Sequence, residues 1–107
     1  MIFGVENHII QMIRLELLKH QEIRDAVIFG SRAKGNYKKG SDIDIAIMGN
    51  LVSFDLVTRL KTGFNQKMAI PYHVDIVHYE EISNTDLIEH IDRVGISILR
   101  DDPVTDQ

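Results

Sequence analysis

An apolar run that ends abruptly at a Gly-Ser pair, with two closely spaced aspartates after it, most constrains how this chain can fold. The run covers residues 26–29 and stops at Gly30-Ser31. Ten residues further on, Asp42 and Asp44 lie at the start of an isoleucine-rich segment. Alternate residues of a strand point to the same face, so the two carboxylates would lie side by side. Neighbouring carboxylates repel each other, and a divalent cation such as Mg²⁺ relieves that repulsion.

The Gly30-Ser31 pair predicts the complementary half of such a site. Glycine permits a sharp exit from the strand, and Ser31 can cap a short helix over residues 31–34. Backbone N–H groups at the start of a helix are good phosphate ligands. A phosphate cradle beside an acidic metal site is the outline of a centre for phosphoryl or nucleotidyl transfer.

Length and composition favour one small domain over residues 1–107. Hydrophobic residues make up 44% of the chain, and there is no apolar run of about 18 residues, so no membrane segment or signal peptide is expected. The absence of cysteine excludes disulfides and thiolate zinc sites and favours a cytoplasmic location. A net charge of −4 argues against strong general binding to nucleic acid, although not against one nucleotide held with a metal.

The remaining periodicities predict helices around a small sheet. Helices are expected at residues 7–20, 31–34, 53–67 and from Ser83 or Asn84 to Gly95, and strands at residues 25–29, 42–48 and 72–78. Residues 96–99 should be extended, and residues 101–107 should fray. This order predicts an α/β (α+β) fold, a small mixed sheet with helices packed mainly on one face.

A third acid, Asp75, lies alone in the apolar strand 72–78. Such an acid is more often on a solvated strand face than in a site. If this strand lies beside strand 42–48, however, Asp75 can join Asp42 and Asp44 in a cluster of three carboxylates. The histidines have no partner at a recognised zinc spacing, and His90 is expected to be solvated on its helix.

Together, these segments resemble the signature of the polymerase β-type nucleotidyltransferase superfamily. The resemblance is carried by Gly30-Ser31, by Asp42-Ile43-Asp44 after ten intervening residues, and by Asp75 in the later strand. It spans essentially the whole chain, and the small size is similar to that of the minimal nucleotidyltransferases. Each motif alone is weak, whereas the motifs at this spacing form a strong signal.

The resemblance implies a polymerase β palm-like fold and a metal-dependent transfer of a nucleoside monophosphate, with AMP from ATP expected, to a hydroxyl acceptor. By position, Asp42, Asp44 and Asp75 would bind two Mg²⁺ ions, or Mn²⁺ in their place. Asp75 would also help to activate the acceptor hydroxyl.

The same resemblance implies that Gly30 and Ser31 hold the β,γ-phosphates of the nucleotide. Arg32 and Lys34 are further candidates for phosphate contacts, and for each a solvated helical charge is an equal alternative.

Minimal members of this family are similar to the antitoxin half of a pair with a HEPN-type ribonuclease toxin, and some of them add AMP to a tyrosine of that toxin. The resemblance therefore implies an antitoxin with a HEPN-type protein as partner and acceptor, and it leaves self-association open. One alternative is an antitoxin subunit that neutralises its partner by contact alone. Another is transfer to a small molecule or to an RNA end.

Overall fold

The computed structural model describes residues 1–105, and its elements follow the predicted order. They are α1 (Asn7–Leu18), β1 (Asp25–Phe29), α2 (Gly30–Lys34), β2 (Ile43–Met48), α3 (Phe54–Thr62), a π-helical turn (Gly63–Lys67), β3 (Val74–His78), a 3-10 turn (Tyr79–Glu81), α4 (Thr85–Val94) and β4 (Ile96–Ser97). Across the described residues, none of these helices combines the length and the apolar character that crossing a bilayer requires.

The four strands form one mixed sheet in the order β3-β2-β1-β4. β1 is antiparallel to both β2 and β4, whereas β2 and β3 are parallel. The extended segment predicted at residues 96–99 therefore contributes a short edge strand, which pairs Ile96 with Ile28. The predicted α/β fold with a small mixed sheet is confirmed.

The apolar side chains of the sheet pack into two clusters on its opposite faces. The larger cluster joins Ile28 and Ile45 to the buried stripes of α1 and α3. The smaller cluster joins Val27 and Phe29 to Ile91 of α4. Most of the helical cover thus lies on one face, as predicted, and α4 covers the other. Because both faces are covered, β1 can be apolar at consecutive positions.

The helices begin and end largely where local chemistry dictates. Ser53 Oγ accepts a hydrogen bond from Leu56 N (3.0 Å), which satisfies a donor in the first turn of α3. Asn84 Oδ1 accepts in the same way from Asp86 N (2.9 Å) at the start of α4. The helix predicted over residues 53–67 ends as an α-helix at Thr62 and continues as the π-helical turn from Gly63, a residue of low helix propensity.

The C-terminal segment differs from its prediction as a frayed tail. Gln11 Nε2 donates to both carboxylate oxygens of Asp102 (3.1 Å each), and Arg14 Nη1 lies 3.6 Å from Asp102 Oδ2. Val104 packs against the larger apolar cluster. The polar composition of residues 101–105 predicts fraying because it does not reveal that two side chains of α1 bind the carboxylate of Asp102. Residues 106 and 107 of the predicted tail lie outside the described residues.

Candidate active site

Three aspartates are carried to the same end of the sheet by β2 and β3. Asp44 and Asp75 lie directly opposite each other in the parallel register of these strands. Asp42 precedes β2 by one residue, two positions from Asp44. β3 lies beside β2, which is the condition under which Asp75 could join the other two acids, and this pairing brings all three acids to one end of the sheet.

The carboxylate of Asp44 is in an unfavourable electrostatic environment. Partial burial raises its pKa, and repulsion from Asp75 and then from Asp42 raises it further, while His73 and Arg32 oppose the change. His73 Nδ1 lies 3.5 Å from Asp42 Oδ2, with both side chains more than half exposed. The cluster therefore carries more negative charge than its surroundings compensate.

This donor set fits a divalent cation that prefers oxygen ligands. Carboxylate oxygens suit Mg²⁺, and a cation between them removes the repulsion that raises the pKa of Asp44. Within residues 1–105, no group of three histidine, aspartate or glutamate side chains is arranged closely enough to hold a metal ion. The protein would therefore supply part of a coordination shell and leave the rest to water and phosphate oxygens, as Mg²⁺ sites commonly do.

Gly30 fits closely against this cluster. Its φ of +72° lies in the left-handed region that favours glycine. A Cβ at this position would collide with Asp44 Oδ2. The turn that begins α2 and the carboxylate pair are consequently in direct contact, and that contact requires the absence of a side chain.

The N–H of Gly30 is already occupied, because it donates to His90 Nε2 on α4 (3.0 Å). The N–H groups available to a phosphate therefore begin at Ser31, where the first turn of α2 leaves donors without helical partners. His90 was expected to be solvated and was missed as part of the site. Its spacing of three residues from Leu87 and four from Val94 was the available signal, since it places His90 on the covered face of α4.

Arg32 is buried, with 2% of its surface exposed, and its contacts differ from the predicted phosphate role. Its Nε and Nη2 donate to Ser41 O (3.1 and 2.7 Å), and Nη1 donates to Phe3 O (2.9 Å). The guanidinium also lies over the rings of Tyr37 and Tyr72, 5.1 and 4.9 Å from their centroids. Arg32 thus holds together the loops that lead to β2 and β3, and its geometry does not support a phosphate contact.

Lys34 and Ser31 lie at opposite ends of α2. Lys34 is exposed, so its ammonium is accessible to a bound anion, and Ser31 is partly exposed beside Gly30. The structure therefore leaves both residues available for the phosphate role that the sequence assigned to them.

Asn65 secures the start of β3 and was not singled out from the sequence. Its Nδ2 donates to Val74 O, and its Oδ1 accepts from Val74 N, each at 2.8 Å. These main-chain groups point away from β2, because Ile43 N pairs with His73 O on the inner side. Asn65 comes from the π-helical turn, which no apolar periodicity predicts. It fixes the residue immediately before Asp75.

Two comparisons of sequence bear on this site. The profile of the family described as "Polymerase beta, Nucleotidyltransferase" matches residues 11–104. A Methanocaldococcus jannaschii protein named as a candidate protein adenylyltransferase is 42% identical over 62 residues. That match covers 58% of this chain and 60% of the relative, so the chain spans less than two thirds of the curated protein it matches.

Solved structures with a similar fold were also found. A chain of a toxin–antitoxin complex with AMP-PNP superimposes with a TM-score of 0.68 and 20% identity, covering 88% of this chain and 73% of that chain. A chain of the complex between the tri-AMPylated HEPN toxin of Shewanella oneidensis and MNT antitoxin gives a TM-score of 0.51 and 19% identity, covering 83% of this chain and 71% of that chain. At these identities, the likeness concerns the fold.

Proposed function

Because this chain belongs to the polymerase β nucleotidyltransferase family, we propose that it transfers AMP from ATP to a hydroxyl group. The family expected from the Gly-Ser and Asp-x-Asp pattern is confirmed by the match over residues 11–104. The observation that carries the proposed activity is the register of Asp44 opposite Asp75, with Gly30 packed against Asp44. Such an arrangement joins a phosphate-binding turn to an acidic metal site.

Asp42, Asp44 and Asp75 would hold Mg²⁺, as two ions, with Mn²⁺ as a substitute. When bound, the metal neutralises charge on the phosphate oxygens and lowers the pKa of a coordinated hydroxyl. The raised pKa of Asp44 supports this assignment, since a cation there offsets both its burial and its repulsion from Asp75.

The remaining residues bind and orient the nucleotide. Ser31, through its N–H and hydroxyl, holds the β,γ-phosphates, and Lys34 adds positive charge nearby. Gly30 contributes only the close approach of its backbone, because its N–H is bonded to His90.

In the proposed reaction, the acceptor oxygen forms a bond to the α-phosphorus, and the bond from that phosphorus to the α,β-bridging oxygen breaks, so that pyrophosphate leaves. Asp75 lies at the start of β3 and takes the proton from the acceptor hydroxyl. The Ser31 turn holds the departing pyrophosphate.

We assign the acceptor to a protein, a tyrosine of a HEPN-type toxin, which makes this chain an antitoxin. The support is the candidate protein adenylyltransferase that shares 42% identity with it and the toxin–antitoxin complexes that share its fold. We place this reaction in the cytoplasm, where a chain without cysteine needs no disulfide.

The test combines the purified chain, Mg²⁺ and ATP with the product of the neighbouring open reading frame, and follows the intact mass of both proteins. One or more AMP units should appear on the neighbour. Asp42→Asn should abolish this gain, and Asp55→Asn should not, because the Asp55 side chain is 78% exposed and pairs only with Arg59 in the described residues. A stable complex without any gain in mass would instead favour neutralisation by contact.

A further inference from the structure

His90 is a polar side chain that the proposed chemistry does not use directly, although it contacts the turn at the centre of the site. It lies on α4, sixty positions from Gly30 in the sequence, and its Nε2 is 3.0 Å from Gly30 N. Its ring packs edge-on against Phe29, with centroids 6.0 Å apart and planes inclined at 78°. One imidazole therefore contacts both residues at the junction of β1 and α2.

The hydrogen bond determines the chemical state of this ring. A backbone N–H can only donate, so Nε2 must present a lone pair, and the imidazole must be neutral with its proton on Nδ1. The opposite tautomer predominates in free histidine. The hydrogen bond from Gly30 thus selects a tautomer of His90 that the isolated side chain does not favour.

The hydrogen bond between Gly30 and His90 matters for the site because of where Gly30 lies. Gly30 adopts φ +72° and lies against Asp44 Oδ2, so a small rotation of the peptide between Phe29 and Gly30 would move the turn relative to the carboxylates. The flanking residue Phe29 is fixed in β1 opposite Asp44, but Gly30 itself is the first residue of α2. The bond from His90 anchors the turn at that point.

We propose that neutral His90 is a positioning residue for nucleotide binding: by accepting the Gly30 N–H, it holds the Gly30-Ser31 turn against Asp44. The inference rests on the proposed function, since it concerns the turn that would bind the nucleotide phosphates. His90 contacts neither nucleotide nor metal in this role and acts through Gly30.

Two substitutions separate this role from simple packing against Phe29. His90→Gln keeps an acceptor oxygen at about the reach of Nε2 and loses the aromatic ring, whereas His90→Phe keeps the ring and loses the acceptor. Positioning predicts that the affinity for AMP-PNP with Mg²⁺, measured by titration calorimetry, falls about tenfold in His90→Phe and stays within about threefold in His90→Gln. Glu89→Gln alters the neighbouring side chain on α4, which is 73% exposed, and should change nothing.

The reverse order, with His90→Phe binding as tightly as the unmodified protein and His90→Gln binding more weakly, would overturn the proposal in favour of packing. Equal affinity in all variants would also overturn it. Thermal unfolding of each variant identifies any loss that comes from misfolding, and a misfolded His90→Phe would be replaced by His90→Leu.

A spectroscopic measurement on the unmodified protein is independent of nucleotide. Two-bond ¹H–¹⁵N correlation at a pH where the ring is neutral should show Nδ1 protonated and Nε2 unprotonated in His90. The other tautomer would contradict the hydrogen bond and the proposal with it. If the expected tautomer appears but the unmodified protein does not bind AMP-PNP with Mg²⁺, the proposed function fails, and the bond from His90 is reduced to a structural contact.

Discussion

Gly30 at the start of α2 and Asp44 in β2 are in direct contact, with the carboxylate filling the space where a side chain at position 30 would lie. Glycine is needed there for a second reason, because its φ of +72° is disfavoured for other residues. The backbone of the turn and the carboxylate of Asp44 are thereby held at a fixed separation.

Gly30→Ala should therefore reduce nucleotidyl transfer by about a hundredfold, because the new methyl group displaces Asp44 and the turn together. Ser31→Ala is the matched change one residue later, and it should cost about tenfold or less, since it removes one hydroxyl and leaves the backbone in place. Single-turnover transfer from α-labelled ATP measures both. Full activity in Gly30→Ala would contradict the placement of the site.

Asp44→Asn should raise the thermal stability of the protein in chelator and remove the stabilisation by Mg²⁺. Burial, then Asp75 and then Asp42, raise the pKa of Asp44 in the folded state. Its contribution to stability is therefore present below the unfolded pKa and is lost as the pH rises through the folded pKa. At neutral pH the metal-free carboxylate opposes folding, and an amide does not.

Thermal unfolding with chelator and with Mg²⁺ checks this expectation, with Asp55→Asn as the control that should behave like the unmodified protein. An equal upward shift with Mg²⁺ in Asp44→Asn and in the unmodified protein would place the ion elsewhere.

Asp75→Asn should slow transfer far more than it weakens nucleotide binding. Asp75 is assigned to the side on which the acceptor arrives, where loss of a general base typically costs a hundredfold or more in rate. The dissociation constant of AMP-PNP with Mg²⁺ should change by about threefold or less. An unchanged transfer rate would return Asp75 to the solvated strand face that a lone acid ordinarily occupies.

Arg32→Met and Lys34→Met should affect different properties, although both remove a cation from α2: the first should lower stability and the second should weaken nucleotide binding. Arg32 is buried and donates to the carbonyls of Ser41 and Phe3, so its loss should cost about 2–4 kcal/mol of unfolding free energy. Lys34→Met should leave stability unchanged and weaken nucleotide binding, because Lys34 is exposed. Urea unfolding and nucleotide titration on both variants distinguish the two roles, and equal stability of the two variants would refute the assignment of Arg32.

Glu80 should contribute stability at neutral pH that is lost in acid. Its burial acts to raise its pKa, but the hydrogen bonds from Gly49 N (3.1 and 3.2 Å) and from its own backbone N–H, together with His78 and Arg24, outweigh burial and lower the pKa. For an acid with a lowered folded pKa, the stabilisation is present above the unfolded pKa and disappears as the pH falls through the folded pKa.

The measurement is urea unfolding of Glu80→Gln and of the unmodified protein as a function of pH. The variant should be about 1 kcal/mol less stable near neutrality, and the two curves should converge in acid. Glu81→Gln, exposed and adjacent, is the control. A difference that persists below the lowered pKa of Glu80 would show that the charge is not responsible.

The sequence predicted the parts of this site that local pattern determines. Asp42, Asp44 and the Gly30-Ser31 turn stand out because strand periodicity and turn chemistry act over a few residues. Placing Asp75 in the site required one further assumption, that β3 lies beside β2, and the observed strand order satisfies this assumption.

The contacts that sequence could not supply are those that join distant segments through polar side chains. Arg32 has the appearance of a solvated helical charge until Phe3 and Ser41 close around it. His90 meets Gly30 only once α4 packs on the sheet, and Asp102 returns to Gln11 over 91 positions. Hydrophobic periodicity carries no information about such partners, because it reports which face is covered and not what covers it.

The amide of Asn65 imitates a peptide group of a neighbouring strand, since it bonds both the N–H and the carbonyl of Val74 on the open edge of β3. An open edge ordinarily serves as a template on which another chain can extend the sheet. Here the main-chain N–H and carbonyl of Val74, immediately before Asp75, are already hydrogen-bonded to Asn65. The polypeptide acceptor proposed above would therefore not pair as an added strand beside Asp75. It would instead present its hydroxyl from a side chain that reaches in across the end of the strands.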